Sequence, residues 1–325
     1  MAYTTIDDPN LYFHTDTYTG NGSGAREITD LPFSPDMSWF KNRDATDSHH
    51  IFDRVRGAKL HIKSDASNAE DQDDNSLYAW LTNGYYVASS DSVNADGEKI
   101  VVWNWLESAT SGFDIVSYTG NATGRDISHS LSALPKMIFV KSRSAAEHWA
   151  VWHKHLTASK QMYLNLTNAE ETSQFGSDPT TSVFSLGTNI MVNGNTETYV
   201  AYLWSEKQGF SKFGKYTGNN NADGPFIYTG FKPAFVMIKM FNAAKGWMIY
   251  DNKRFTSNPV NAYLTLNADA NTAEAYGTVY PIDFLSNGFK LHTDTSEVNA
   301  ANNYVYMAFA ESPLVNSEGA PNNAE

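Results

Sequence analysis

Tyr18-Thr19-Gly20-Asn21 recurs as Tyr118-Thr119-Gly120-Asn121 and again as Tyr216-Thr217-Gly218-Asn219. The spacings are 100 and 98 residues, so a single unit of about 100 residues runs three times through the 325-residue chain. A repeat of this kind governs the reading of everything else, because each copy is one structural unit. Further landmarks keep the register. Pro35, Pro135 and Pro233 each lie 17 residues after their tyrosine, and Lys41, Lys141 and Lys239 each lie 23 after it. Asp53, His153 and Asp251 each follow at 35. Each copy closes on an aromatic stretch ending in Glu107, Glu206 or Glu311.

Within a copy the segments read as strands. Met37 to Lys41, Met137 to Lys141 and Phe235 to Met240 are short, mostly apolar runs, as are Trp149-Ala150-Val151-Trp152 and Trp247-Met248-Ile249-Tyr250. Runs of this length fit buried strands. Asn83-Gly84 and Asn287-Gly288 sit between apolar stretches, and Asn-Gly is a hairpin signal because both residues tolerate positive φ. No segment keeps apolar residues at helical spacing over three turns. The pattern predicts an all-β protein of three tandem antiparallel β-sandwich modules, jelly-roll-like, with a turn or two of helix. The expected organisation is an N-terminal attachment segment (1–14), modules at 15–110, 114–208 and 212–313, and a polar C-terminal tail (314–325). Trp39, Phe139, Trp149, Trp204, Phe235 and Trp247 are the expected core.

Composition narrows the function. The formal charge is −13, whereas a duplex-DNA binder needs a basic footprint, so no nucleic-acid partner is expected. No run approaches the ~18 apolar residues of a membrane helix. The start, Met-Ala-Tyr-Thr-Thr-Ile, has neither a basic stretch nor an apolar core. A soluble protein with no cleavable leader and no membrane insertion is therefore expected. With no cysteine, disulfides, thiolate metal sites and a cysteine nucleophile are excluded.

Several local patterns could carry chemistry. Asp71, Asp73 and Asn75 match the first three ligand positions of a calcium loop, but Ser76 and Thr82 stand where the turn glycine and the bidentate glutamate belong. A solvated acidic loop is the expectation. His153 and His155 would share a strand face near His148, with no evident third ligand or carboxylate support, so no metal and no cofactor are expected. Gly20-Asn21-Gly22-Ser23-Gly24 lacks the lysine of a phosphate loop. No nucleophile elbow occurs. Glu107, Glu206 and Glu311 recur without a recurrent acidic partner and read as structural anchors. No catalytic residue is assigned, and the chain is not expected to be an enzyme. Tyrosines next to loops are the remaining candidates. Aromatic faces stack on sugar C–H groups, which makes Tyr85, Tyr86, Tyr228, Tyr276 and Tyr280 the sugar-contact candidates.

The Tyr-Thr-Gly-Asn opening, the Pro35 to Arg43 segment, Phe52-Asp53-Arg54-Val55-Arg56-Gly57 and the closing Tyr304 to Pro313 together resemble a repeated module of uncharacterised virion proteins of marine tailed bacteriophages. Such proteins are described as structural, tail-fibre-like or lectin-like. The resemblance covers nearly the whole chain. It implies a virion location and other virion proteins as partners, while the general symmetry of mounting points predicts a homo-oligomer, a trimer, and the loop-adjacent tyrosines predict a host surface glycan as a further partner. The copies differ at one motif: His153-Lys154-His155-Leu156 and Asp251-Asn252-Lys253-Arg254 replace Asp53-Arg54-Val55-Arg56. The N-terminal Leu11-Tyr12-Phe13 is expected to lack a core of its own and so to serve attachment.

Overall fold

The computed structural model describes residues 2–266, 272–276 and 280–323. In the first third of the chain the strands are β1 (Phe13–Thr19), β2 (Arg26–Ile28), β3 (Met37–Asn42), β4 (His50–Asp53), β5 (Leu60–Lys63), β6 (Asp71–Gln72), β7 (Leu77–Leu81), β8 (Gly84–Val87) and β9 (Lys99–Trp105). They form a six-stranded antiparallel sheet, ordered β1-β9-β3-β4-β5-β6, and a small sheet, β2-β8-β7. A single turn of helix, α1 (Asp91–Asn94), precedes β9.

The second third supplies β10 (Phe113–Thr119), β11 (Arg125–Ser128), β12 (Pro135–Ser142), β13 (Ala150–His153), β14 (Lys160–Tyr163), β15 (Glu171–Thr172), β16 (Val183–Leu186), α2 (Ile190–Asn193) and β17 (Thr198–Ser205). The last third supplies β18 (Ser211–Thr217), β19 (Phe226–Tyr228), β20 (Phe231–Met240), β21 (Trp247–Asp251), β22 (Ala262–Leu266), β23 (Ala275–Tyr276), β24 (Ile282–Leu285), β25 (Gly288–Leu291) and β26 (Asn303–Pro313). Their large sheets run β10-β17-β12-β13-β14-β15 and β18-β26-β20-β21-β22-β23, and the small sheets run β11-β16 and β19-β25-β24. The fold is all-β and antiparallel, of the sandwich type, as the strand pattern predicts.

The large sheets are buried on both faces, which is why their central strands read as continuous apolar runs rather than alternating ones. In β3, Met37 and Trp39 point to one side and Phe40 to the other. Phe40 joins Phe52, Tyr85 and Val102 in a core beneath the small sheet. Two similar cores lie beneath the other small sheets. Met37 and Trp39 instead enter a fourth core, built by all three large sheets. Trp103 and Trp105, Phe139, Trp149 and Trp204, and Phe235, Trp247 and Phe309 all belong to it. Trp105 lies 6.4 Å from Trp204 and 5.7 Å from Phe309, centroid to centroid, so the three sheets meet directly.

The structure gives the opening motif a reason. The Tyr18, Tyr118 and Tyr216 hydroxyls donate to the carbonyls of Val93, Val192 and Val298, at 2.5, 2.7 and 2.6 Å. A Cβ on Gly20 would come 2.0 Å from Ala95 O, and one on Gly120 or Gly218 would meet an equivalent carbonyl just as closely. No other residue fits there. The next residue's N–H, from Asn21, Asn121 or Asn219, donates to Oδ1 of the buried Asn94, Asn193 or Asn299. The conserved lysines are buried as well. Lys41 Nζ donates to Asn42 O and Ala45 O at 2.5 and 2.9 Å, and Lys141 Nζ to Ser142 O at 2.8 Å. Lys239 Nζ reaches Thr167 O at 2.9 Å. Burial pushes these ammonium groups down to about 8, about 8 and about 7.

The N-terminal segment departs from expectation. Ile6 and Phe13 are buried in the common core, and Thr4 Oγ1 donates to Gln208 O at 2.8 Å. Tyr12 packs edge-on against Phe210 at 6.0 Å. Phe13 opens β1 rather than preceding the first sandwich. Contrary to expectation, Tyr12 and Phe13 therefore have a core to enter, and only Leu11 of the three stays exposed.

Candidate functional site

The motif at Asp53 is a joint between sheets. Arg56 Nε donates to Asp53 Oδ2 at 2.5 Å, and its Nη1 to Glu70 Oε2 at 3.0 Å. From the second sheet, the Tyr202 hydroxyl donates to Asp53 Oδ2 at 2.6 Å, and Arg143 grips Glu70 through Nε and Nη2 at 3.0 and 2.9 Å. The third sheet meets the first in the same way. Arg254 bonds Asp251 and Glu274 at 2.5 and 2.9 Å, Trp103 Nε1 donates to Asp251 Oδ2 at 3.0 Å, and Arg43 Nη2 donates to Glu274 Oε2 at 2.7 Å. Burial alone would lower the Arg56 guanidinium, but Asp53, Tyr202 and Glu70 carry it above its ordinary value. Of the four-residue motif the joint uses the aspartate and the arginine three residues on, which is why the intervening Arg-Val and Asn-Lys can differ. The motif is also less confined to the first repeat than its sequence suggests.

The joint between the second and third sheets is built differently. Its main-chain bond survives: Glu170 N donates to Phe241 O at 2.7 Å, as Glu70 N does to Arg143 O and Glu274 N to Arg43 O. These three bonds close a ring of three sheets. The charges, however, have been exchanged together. His153 stands for the aspartate, Leu156 for the arginine, Phe241 for the second arginine, and Met307 holds the register place of Trp103 and Tyr202. Burial pushes the His153 imidazole down to about 3, so it is neutral at ordinary pH. A buried charge without its partner is costly, so losing the aspartate and both arginines together keeps the joint viable, while the remaining Glu170 carboxylate accepts from Thr157 N at 2.9 Å.

At the ends of the repeats the recurring glutamates have partners that the sequence did not disclose. Glu206 Oε1 accepts from Lys212 Nζ at 2.8 Å, and Glu311 Oε2 lies 3.4 Å from Lys232 Nζ. Asp114 occupies the place of Lys212 one repeat earlier, four residues before its tyrosine, and it meets Glu107 instead. Burial first, then the hydrogen bond and charge of Asp114, raise the Glu107 carboxyl to about 7. This pair holds a proton that the other joints do not need.

The five tyrosines part company. Tyr85 is 0% exposed and packs in the first core, edge-on to Phe40 at 5.1 Å, so it is no sugar contact; the hairpin turns Tyr85 inward and Tyr86 outward. Tyr86 is half-buried at the surface, donates to Glu27 and lies 6.5 Å from the exposed Tyr78. Tyr280 is half-buried against Tyr263 at 4.8 Å, and its carbonyl accepts from the Tyr250 hydroxyl. Tyr276 lies in β23, and its side chain falls outside the described residues. Tyr228 is 52% exposed. It borders an open cavity of about 410 Å³ with Tyr3, Glu206, Gln208, Ser211 and Lys212. The Tyr3 hydroxyl donates to Gly230 O at 2.7 Å and lies 3.5 Å from that of Tyr228, so two tyrosines flank a floor of paired charge and hydroxyls.

The other candidates are placed as follows. Asp71 opens the short β6, Asp73 Oδ1 accepts from Asn75 N at 2.8 Å, and Asp74 pairs with Lys59 at 3.1 Å. The His153 and His155 rings lie 5.7 Å apart, while His148 bonds Asn165 instead. Among the described residues no three His, Asp or Glu side chains gather into a metal set, and no helix is long and apolar enough to cross a membrane.

A model of the family described as "Domain of unknown function (DUF7483)" matches residues 8–313. No curated protein matches the chain.

Proposed function

The chain belongs to the DUF7483 family, and we propose that it is a structural protein of a bacteriophage particle, an appendage of the tail or head that also touches the host surface. The observation that carries this reading is the ring of cross-sheet bonds about one aromatic core. Buried pairs such as Asp53–Arg56 contribute geometric definition rather than catalysis. A body of this kind suits a component that must hold its shape under load. Other virion proteins are its partners. The apolar faces of the three large sheets are covered within one chain, so a homo-oligomer, a trimer included, rests on the symmetry of the mounting point alone.

Host contact through a surface glycan is the second part of the reading, and exposed Tyr228 beside Tyr3 favours it. Electron micrographs of particles labelled with antibody against this protein test the location. Label at one defined place on tail or head is the expected result. Label confined to host structures would overturn it. A glycan array tests the contact, with binding lost on Tyr228→Ala.

A further inference from the structure

The first and third repeats differ at a place that one side chain fills in the first. Arg54 Nε donates to Pro35 O at 2.7 Å, and its Nη2 to Ser34 Oγ and Leu81 O at 2.6 and 2.7 Å. Its guanidinium lies 5.1 Å over the Trp80 ring. Asn252 holds the same backbone place in the third repeat: its N–H donates to Ala234 O at 3.0 Å, as that of Arg54 does to Asp36 O at 2.9 Å. Phe284 takes the place of Trp80, opposite Phe289 as Trp80 is opposite Tyr85. The shorter asparagine leaves a cavity of about 210 Å³, walled by Phe255 and Phe284 and rimmed by Lys232, Asn252, Lys253 and Glu311.

We propose that this cavity binds one carboxylated sugar ring, a glycan site apart from that at Tyr228 which rests on the glycan-contact reading above. Three features of the cavity select that class. Asn252 Nδ2 donates to Glu311 Oε2 at 2.8 Å, while its Oδ1 is buried and has no donor among the described residues. A buried acceptor left without a donor costs free energy, and a sugar hydroxyl supplies one once the amide turns toward the cavity that Asn252 lines. The rim sets two ammonium groups against one carboxylate, in a chain of net charge −13, so it favours an anion where the rest of the surface repels it. Phe255, half-buried at the edge, offers a flat apolar face for the C–H side of a ring. The volume is below the ~300–1,000 Å³ of drug-sized pockets, which suits a single ring at the end of a longer glycan.

The test is a titration of the full chain with glucuronate, with glucose as the neutral control, followed by NMR or calorimetry. Glucuronate should bind saturably and about tenfold more tightly than glucose, the worth of a charge-assisted hydrogen bond. Asn252→Arg, which restores the side chain of the first repeat, should abolish binding. Lys253→Glu lies at an exposed position and should also abolish it with the melting temperature unchanged, which keeps the test valid if the first variant misfolds. No saturable binding of glucuronate, equal binding of glucose, or undiminished binding by Lys253→Glu would each overturn the proposal. None of these outcomes decides the glycan contact at Tyr228, which the array and Tyr228→Ala read independently, or the particle location, which the labelled micrographs read.

Discussion

The Tyr202 hydroxyl donates to Asp53 Oδ2 at 2.6 Å, reaching from the second sheet into the first. Asp53 is fully buried and also holds Arg56, so the bond belongs to a network that is satisfied on both sides of the joint. Asp53→Ala leaves the Arg56 charge buried with one partner fewer and should cost about 3–5 kcal/mol. Tyr202→Phe removes one donor and should cost about 1–3 kcal/mol. Urea unfolding midpoints check both, and a loss below ~1 kcal/mol for Asp53→Ala would show that the joint does not hold the sheets.

The exchanged joint predicts a coupling. His153→Asp alone places an unpaired carboxylate at a buried position and should be strongly destabilising. Adding Leu156→Arg restores the pair seen at Asp53 and Asp251, so the double variant should be more stable than the sum of the single changes by at least ~1 kcal/mol. A double-mutant cycle measures this directly. Strict additivity would mean that the exchanges at His153 and Leu156 are unrelated.

Much of this was legible in the sequence. The Tyr-Thr-Gly-Asn motif and the spaced lysines mark places where a hydroxyl, a missing Cβ and a buried ammonium each have a backbone partner, and such places admit few substitutions. Their partners were harder to see. Val93-Asn94, Val192-Asn193 and Val298-Asn299 complete the motif, but they lie 72 to 82 residues further on and look like ordinary loop residues. The common core has no local signature at all. Trp39 and Phe40 are equally apolar, and nothing in the sequence says that one faces the neighbouring sheets and the other its own. The same ambiguity misplaced Tyr85, whose inward direction follows from hairpin register, and left Ile6 and Phe13 without the core that buries them.

The joint at Glu107 predicts a pH dependence. Its carboxyl is raised to about 7 from an ordinary 4.5, so between those values the folded state holds a proton that the unfolded chain releases. Stability from this group is greatest below pH 4.5 and falls as pH rises to about 7. Asp114→Lys reproduces the Glu206–Lys212 pair and should flatten or reverse that slope. Melting temperatures of the two proteins from pH 4.5 to 7.5 make the comparison; parallel curves would count against the shared proton.

The aromatic cores predict large truncation costs. Trp39, Trp149, Trp204 and Trp247 are each at most 2% exposed. Replacing any one with alanine should cost about 3–5 kcal/mol. Because all four enter the common core, each change should lower the stability of the whole chain, not of one third of it.

Differential scanning calorimetry tests the unity of the chain most directly. Three sheets that share one core and close a ring of main-chain bonds should unfold together. The chain should show one transition, with a calorimetric enthalpy equal to the van't Hoff enthalpy. Three separable transitions, or a calorimetric enthalpy about three times the van't Hoff value, would contradict it and make the three sandwiches independent beads on one chain.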